Sequence, residues 1–299
     1  MISKKDFIAS VIEKADRRNN YLPRILKFIV KLKGTKFNFS KETADFTYIT
    51  ICRKDAFDMV RYSLHSFYWH CEFIPKKIVI VSDGSWIEKE GLSYFSKYNL
   101  NISYDTWENC AVYHRNAGRI HLYEWATKHI WGKKMASILK YSENGATLFA
   151  DPDVLWFKSP FDNEILKKDC ILKTSIDNSH NYDEVLIDKL KLSFLYDLPP
   201  VNCGIVLAKG NLYDLSSNGI REAIEAEAQT PGKFAEQTIF ALMVNEFGDK
   251  WTEDEVSASI DDILSPVFVR SRYSSVLIAR HYVWSMRWLY WRDILFDPK

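Results

Sequence analysis

The stretch ATLFADPDVLWF, residues 146–157, runs from apolar residues into two aspartates and back into large apolar side chains. Asp151 and Asp153 therefore stand between two segments with the composition of protein interior, where an uncompensated charge is costly. Pro152 donates no backbone hydrogen bond and suits a strand that is ending. In extended backbone, side chains two residues apart point the same way. The pattern predicts either a divalent cation held by both carboxylates or an Asp-Pro-Asp turn with solvated carboxylates.

Strands and helices alternate on both sides of this stretch. FTYITIC (46–52) and KKIVIVS (76–82) are β-rich apolar runs typical of buried parallel strands, and a segment with helical spacing separates them. This alternation predicts a doubly wound α/β sheet. In such sheets ligands bind beyond the carboxyl ends of the strands, which is where the two aspartates and the DGS turn (83–85) fall.

The second half of the chain has a more mixed pattern. CILKTSI, VNCGIVLA and VFVRS predict strands, and residues 217–229 and 235–247 predict helices. Residues 116–143 are expected to be mainly helical, with an interruption near Gly132. We found no repeat or linker, so residues 45–299 are predicted to form one domain, preceded by a helical extension over residues 1–44.

Composition excludes several classes of protein. The 299 residues are 47% hydrophobic and carry a net charge of +1, so nothing in the overall charge favours nucleic acid as a partner. Five scattered cysteines without a CxxC pair predict neither a disulfide scaffold nor a thiolate zinc site, and they fit a reducing compartment. No apolar run reaches the length of a membrane span, and the N-terminus lacks the pattern of a signal peptide, so a cytoplasmic location is expected.

Residues 21–36, YLPRILKFIVKLKGTK, mix apolar residues with lysine and arginine. A basic amphipathic helix of this kind can lie on an anionic membrane, which would make the protein a peripheral one on the cytoplasmic face. The alternative is a helix that packs on the domain and exposes a solvated basic edge.

The Asp-x-Asp pattern after an apolar strand resembles the DxD element of glycosyltransferases with the GT-A fold. The resemblance implies a nucleotide-diphospho-sugar transferase fold, with a mixed, mostly parallel sheet flanked by helices. It also implies that Asp151 and Asp153 hold Mn²⁺ or Mg²⁺ on the diphosphate of a nucleotide sugar, and that Asp151 touches the ribose.

Three later stretches resemble further elements of that family in the same chain order. VNCGIVLAKG (201–210) is similar to the segment whose Asn and Gly line the sugar pocket, which implies that Asn202 and Gly204 line it here. AEQTIFALMV (235–244) resembles the helix start that faces the donor sugar or acceptor, which implies that Glu236 and Gln237 lie there. RHYVWSMRW (280–288) resembles the HxxGxxKPW element of the glycogenin-like retaining branch, family eight, which implies His281 as a third metal ligand and Arg287 on the diphosphate. Trp284 replaces the expected glycine, and no proline follows Arg287. The structural alternatives are an ordinary bulged strand for residues 201–210, a surface helix for residues 235–244 and a core or surface histidine at His281.

The nucleotide end of the site is expected beside the first strands. The resemblance places Thr50, Cys52 and Arg53 near the base and ribose and gives Asp83 a contact with the uracil or ribose, although Asp83 could equally cap a helix. Lys133 and Lys134 near a predicted helix start could hold phosphate or be solvated surface lysines.

Together these resemblances imply transfer of a sugar from a nucleoside diphosphate sugar, with UDP favoured, to a hydroxyl of a saccharide or glycoconjugate. The His–Arg spacing favours retention, with Gln237 and Asn202 shaping the sugar pocket, whereas an inverting enzyme would use Glu236 as general base. Two alternatives stay open. A sugar-nucleotide pyrophosphorylase would need a glycine-rich phosphate loop that the sequence lacks, and a non-catalytic carbohydrate- or nucleotide-binding protein would not need the metal triad.

Overall fold

The computed structural model describes residues 4–34, 36–37, 39–269, 276–283 and 286–296. In chain order its helices are α1 Lys4–Lys33, α2 Phe57–His70, α3 Glu88–Phe95, α4 Trp107–Asn116, α5 Ile120–Lys128, α6 Ile130–Ser142, α7 Glu184–Leu190, α8 Leu212–Leu215, α9 Asn218–Gln229, α10 Ala235–Phe247 and α11 Arg287–Phe296. Its strands are β1 Glu42–Cys52, β2 Phe73–Ser82, β3 Ile102–Thr106, β4 Thr147–Ala150, β5 Val154–Trp156, β6 Ile171–Ile176, β7 Val201–Lys209, β8 Asp249–Trp251, β9 Val256–Ser257 and β10 Ala279–His281.

A seven-stranded sheet in the order β3-β2-β1-β4-β7-β6-β8 forms the centre of the fold. β7 runs antiparallel to both of its neighbours, and the other pairs are parallel. Consecutive side chains enter opposite layers: Tyr48 and Leu148 pack with α2, whereas Ile49 and Phe149 pack with α5 and α6. Both faces are therefore covered, which explains the continuous apolar runs. The predicted mostly parallel α/β architecture is confirmed.

A second sheet of three short strands, β5-β10-β9, joins the middle of the chain to its C-terminal part. β10 lies antiparallel to β5, with His281 opposite Val154, and the backbone N–H of Tyr282 donates to the carbonyl of Asp153 over 2.9 Å. This pairing carries His281 to the exit of β4.

Two local predictions differ from the structure. Residues 267–269 form a turn and a bend rather than the predicted strand, and residues 270–271 of that segment lie outside the described residues. The helical region breaks at His129 instead of Gly132, because the His129 ring accepts a hydrogen bond from the N–H of Trp131 and caps α6. Gly132 lies inside α6, where a Cβ would stand 2.5 Å from the carbonyl carbon of Trp125, so it permits close contact between α5 and α6.

The N-terminal helix α1 packs on α11 and α2. Leu22, Leu26 and Val30 are buried in a cluster with Trp288 and Leu289 of α11. Lys27 and Lys31 reach the carboxylate of Asp58 in α2 at 2.8 and 2.9 Å. Within the described part of the chain, no helix is both long and apolar enough to span a bilayer. The predicted boundary between residues 44 and 45 stays a prediction, and β1 already begins at Glu42.

Candidate metal and nucleotide site

The two aspartates follow β4 at its carboxyl end. The N–H of Asp151 donates to the carbonyl of Gly204 over 2.8 Å, and the N–H of Val154 donates back to the carbonyl of Asp151 over 3.2 Å, so the chain turns tightly between β4 and β5. Asp151, Asp153 and His281 each offer a ligand atom, and these atoms lie within 4.8 Å of one another. His281 Nε2 is 3.3 Å from Asp153 Oδ1 and 3.6 Å from Asp151 Oδ2. The structure thus brings together the three residues predicted to bind metal.

Asn202 fixes the orientation of the His281 ring. The amide oxygen of Asn202 accepts from the N–H of Gly204 over 2.9 Å, and its amide nitrogen donates to Asp177 Oδ2 over 3.3 Å. That oxygen lies 2.9 Å from His281 Nδ1. Because an amide oxygen only accepts, Nδ1 carries the proton, and in the neutral ring Nε2 presents its lone pair to the two carboxylates. This is the tautomer that a metal-binding histidine needs here.

Gly204 makes room for the same imidazole. A Cβ at this position would stand 2.1 Å from His281 Nδ1 and 2.3 Å from Cε1, well inside the distance at which side chains can pack. Glycine is therefore required by the histidine ring, a reason different from the predicted approach of a sugar to the backbone.

Lys134 supplies a buried positive charge behind the aspartates. Its Nζ lies 3.0 Å from Asp151 Oδ2 and 2.8 Å from Glu236 Oε1. Burial disfavours its charge, but the two carboxylates outweigh that effect and raise the pKa of Lys134. Lys134 therefore joins α6 to β4 and α10 as a buried ion-pair partner, rather than standing at the surface. Glu236 is 4% exposed, and this burial disfavours the predicted role of an accessible general base.

The protonation behaviour of the metal-ligand candidates follows from burial and from their neighbours. Burial raises the pKa of Asp151, and Lys134 and His281 only partly oppose it. For Asp153, burial acts in the same direction, but the hydrogen bond and charge of His281 and the charge of Arg287 outweigh it and lower the pKa. Burial disfavours a charge on His281, yet its contacts with Asp153 and Asp151 raise its pKa. Asp153 and His281 therefore stabilise each other's charges, whereas burial disfavours the charge of Asp151.

A cleft of about 800 Å³ opens beside the aspartates, a size that suits a nucleotide-sized ligand. The predicted residues that line it are Cys52, Arg53, Asp83, Lys134, Asp151, Asp153 and Arg287. Lys133 also lines it and donates to the carbonyl of Asp83 over 2.9 Å. Eight of the residues singled out in the sequence therefore surround one cavity.

Other predicted residues lie away from the lining of this cleft. Thr50 is 2% exposed and lies two residues before Cys52 in β1, further from the strand end that borders the cleft. Asn202, Gly204, Glu236 and Gln237 are grouped behind the metal-ligand candidates on β7 and α10. Gln237 donates to Asp177 Oδ2 over 3.0 Å, so one carboxylate orients both Gln237 and Asn202.

Sequence reasoning missed Asp177, although a signal existed. Asp177 directly follows β6, whose direction matches that of β4, so it lies at the same edge of the sheet as Asp151. The rule that singled out the aspartates after β4 applies equally to this position. Trp284, where the family element has glycine, lies outside the described residues.

Comparison with known proteins supports the fold. No family model matches the chain, and no curated protein does. Its structure is similar to mouse xyloside xylosyltransferase 1 in the apo form, with a TM-score of 0.52 and 9% identity over 80% of this chain and 97% of that one. It is also similar to the galactosyltransferase LgtC in complex with donor and acceptor sugar analogues, with a TM-score of 0.52 and 13% identity over 85% of this chain and 97% of that one. A third similar structure is the glycosyltransferase GlyE of Streptococcus pneumoniae, with a TM-score of 0.51 and 11% identity over 85% of this chain and 61% of that one.

These three structures are glycosyltransferases of the GT-A fold, so the predicted GT-A fold is confirmed. At such low identity the similarity establishes the fold alone. Assignment to family eight stays a prediction.

Proposed function

We propose that the protein is a metal-dependent glycosyltransferase that moves a sugar from a nucleoside diphosphate sugar, with UDP favoured, to a hydroxyl of a saccharide or glycoconjugate. One observation carries the proposal: on a GT-A fold, the ligand atoms of Asp151, Asp153 and His281 lie within 4.8 Å of one another, and both aspartates line a cleft of about 800 Å³.

The donor set fits a divalent cation. Two carboxylates and an imidazole nitrogen converge, and the bond from His281 Nδ1 to Asn202 leaves Nε2 available to a metal. Carboxylates suit Mn²⁺ and Mg²⁺, which are the ions we propose. When bound, such an ion stabilises the negative charge that develops on the departing diphosphate.

Arg287 is the residue best placed to hold the diphosphate. It is the first residue of α11, its side chain is exposed, and it lines the cleft with Asp151 and Asp153. A guanidinium can donate two parallel hydrogen bonds to a phosphate, so Arg287 would orient the leaving group and share its charge. Lys134 cannot take this role while it is bound to Asp151 and Glu236, and it instead holds Asp151 in position.

The rest of the cleft supports binding of a nucleoside. Cys52, Arg53 and Asp83 line the part formed by the ends of β1 and β2, where we place the base and ribose. Asn202 and Gln237 would shape the sugar pocket through their shared partner Asp177.

An inverting reaction needs an accessible base. The burial of Glu236 and its ion pair with Lys134 therefore support a retaining reaction.

Slow hydrolysis of the donor tests the proposal without knowledge of the acceptor. The protein is incubated with a panel of nucleotide sugars, with and without Mn²⁺, and release of the nucleoside diphosphate is measured. Release with at least one donor is expected to require Mn²⁺ and to fall about a hundredfold or more in Asp153→Asn, because one metal ligand is lost. Asp197→Asn changes an exposed aspartate outside the cleft and serves as the matched control.

Three outcomes would contradict the proposal. Binding of a nucleotide sugar in a thermal-shift assay without release of diphosphate would indicate a non-catalytic binding protein. Release of a nucleoside triphosphate on addition of pyrophosphate would indicate a pyrophosphorylase. Release that does not depend on Mn²⁺ or on Asp153 would exclude the metal site as the source of activity.

A further inference from the structure

An apolar stripe on α1 faces solvent. Tyr21, Ile25, Phe28 and Leu32 are exposed by 53%, 51%, 65% and 73%. Their spacing of four, three and four residues places them along one face of the helix. Four large apolar side chains in a row form a continuous patch, unlike the isolated exposed hydrophobics that are normal on a surface.

The stripe is separate from the face that packs on the domain. Leu22, Leu26 and Val30 are buried at 8%, 0% and 0% and make the contact with α11. They lie one turn apart along a second face of α1, so the helix has two apolar faces, and only this second face is buried against the domain. The exposed stripe is therefore not needed for packing within the described part of the chain.

The segment that carries the stripe is strongly basic. Residues 17–36 contain seven Lys and Arg residues and no Asp or Glu, in a chain whose net charge is only +1. Arg24 is exposed and lies three residues after Tyr21 and four before Phe28, so it borders the stripe. Lys31, three residues after Phe28, pairs with Asp58 but remains 48% exposed. An apolar stripe with a basic border is the pattern of a helix that lies in a membrane interface.

We propose that α1 docks on an anionic phospholipid surface through Tyr21, Ile25, Phe28 and Leu32, with its basic side chains on the lipid head groups. Charge decides between this occupant and a second copy of the chain. In a two-fold contact the same patch of both copies is buried against itself, which would bring the basic side chains that border the stripe, Arg24 and Lys31 of each copy, close together. An anionic lipid surface neutralises those charges instead.

The proposal goes beyond the proposed enzymatic function and does not depend on it. α1 contacts two elements that border the cleft: Lys27 and Lys31 bind Asp58, next to the lining residue Met59, and α11 begins with Arg287. Docking through α1 would therefore attach the cleft to a membrane surface.

Co-sedimentation of the full chain with vesicles tests this inference. Vesicles of phosphatidylcholine alone are compared with vesicles in which phosphatidylserine replaces part of it, at low and high salt. The protein is expected to sediment with the phosphatidylserine vesicles and to dissociate as salt rises, because screening weakens the contact with head groups.

Two variants separate the apolar and the charged contributions. The double variant Phe28→Ser with Leu32→Ser is expected to reduce partitioning at least about tenfold, since it removes the most exposed half of the stripe. Arg24→Glu with Lys36→Glu is expected to cause at least about a tenfold loss on phosphatidylserine vesicles only. Val185→Ser with Leu215→Ser, which changes side chains exposed by 71% and 55% on α7 and α8, is the matched control and should bind as the unaltered chain does.

The outcomes that would overturn the proposal are distinct. They are absence of sedimentation with phosphatidylserine vesicles at low salt, equal binding to both kinds of vesicle, and unchanged binding of the Phe28→Ser/Leu32→Ser variant. Size-exclusion chromatography adds a fourth: a dimer that this variant converts to a monomer would assign the stripe to a second copy. Because the stripe is exposed, thermal unfolding should be unchanged in every variant, and the charge variant retains the test if the apolar one fails to fold.

Discussion

Gly204→Ala should disable the metal site with a single methyl group. The added Cβ would stand 2.1 Å from His281 Nδ1 and 2.3 Å from Cε1, whereas unstrained contacts between such atoms begin near 3.4 Å. The imidazole must therefore move by about 1 Å or more, because non-bonded heavy atoms repel steeply below their contact distance. Metal–ligand distances tolerate only about 0.2 Å, so this displacement withdraws the nitrogen from coordination.

The expected magnitude follows from the number of ligands. His281 is one of three residues that offer a ligand atom, and loss of even an outer-shell partner typically weakens metal binding about 10- to 100-fold. We expect Gly204→Ala to weaken Mn²⁺ binding by at least that factor, about 1.4–2.7 kcal/mol. The free energy of unfolding without metal should fall by about 1–3 kcal/mol, because the strand must accommodate an overpacked ring.

Isothermal titration calorimetry with Mn²⁺, combined with chemical unfolding, measures both effects. Gly219→Ala is the matched control, since a Cβ there would meet only Ser217 Oγ at 3.8 Å. A double-mutant cycle with His281→Ala tests the cause: without the ring, the added methyl group should produce little further loss of affinity. Wild-type Mn²⁺ affinity in Gly204→Ala, or an equal further loss in the His281→Ala background, would refute this account of the site.

Two further predictions concern buried carboxylates. Burial raises the pKa of Glu227 to about 7 from its unfolded value of 4.5, although the hydrogen bond from the Gly232 N–H opposes the shift. Between these two pH values only the folded state keeps the proton. The free energy of unfolding therefore falls as pH rises through that window. Glu227→Gln should therefore match the unaltered chain near pH 5 and be about 1–3 kcal/mol more stable near pH 8, and parallel pH profiles in urea unfolding would contradict this. Asp177→Ala should weaken Mn²⁺ binding about tenfold, because the Asn202 amide that orients His281 loses its acceptor; unchanged calorimetric affinity would show that Asn202 is held without it.

The strands of the main sheet were predictable because their local pattern matches their surroundings. β1, β2 and β4 each contain a mainly apolar run that leads to the carboxyl end of the strand, and the structure buries both faces of that run. The small sheet was not predictable, since β5, β9 and β10 contain only two or three residues each and pair across distant parts of the chain. The segment 267–271 shows the opposite error: β-branched composition predicted a strand, but residues 267–269 have no partner strand and form a turn and a bend.

Some residues of the candidate site could be predicted from the local sequence, whereas the role of others depends on tertiary contacts. Asp151 and Asp153 could be found from the end of a strand, and His281 through its resemblance to a family element. The requirement for glycine at position 204 depends on a ring contributed by β10, which no pattern within β7 reveals. Thr50 was misplaced for a related reason, because the sequence indicates the end of β1 but not how deep the cleft reaches.

The register of β10 links the buried charges of the C-terminal part to the metal site. Arg280 is fully buried, and its guanidinium lies 2.5 Å from Asp262 and 3.6 Å from Asp293. Neighbouring residues of a strand point to opposite faces, so Arg280 enters this ion network while His281 enters the metal site. A slip of one residue would exchange them: Arg280 would leave its ion pairs with Asp262 and Asp293, and the imidazole would leave the carboxylates of Asp151 and Asp153. Because breaking a buried ion pair by removing one partner costs about 3–5 kcal/mol, the network makes that slip unfavourable and keeps His281 beside Asp151 and Asp153.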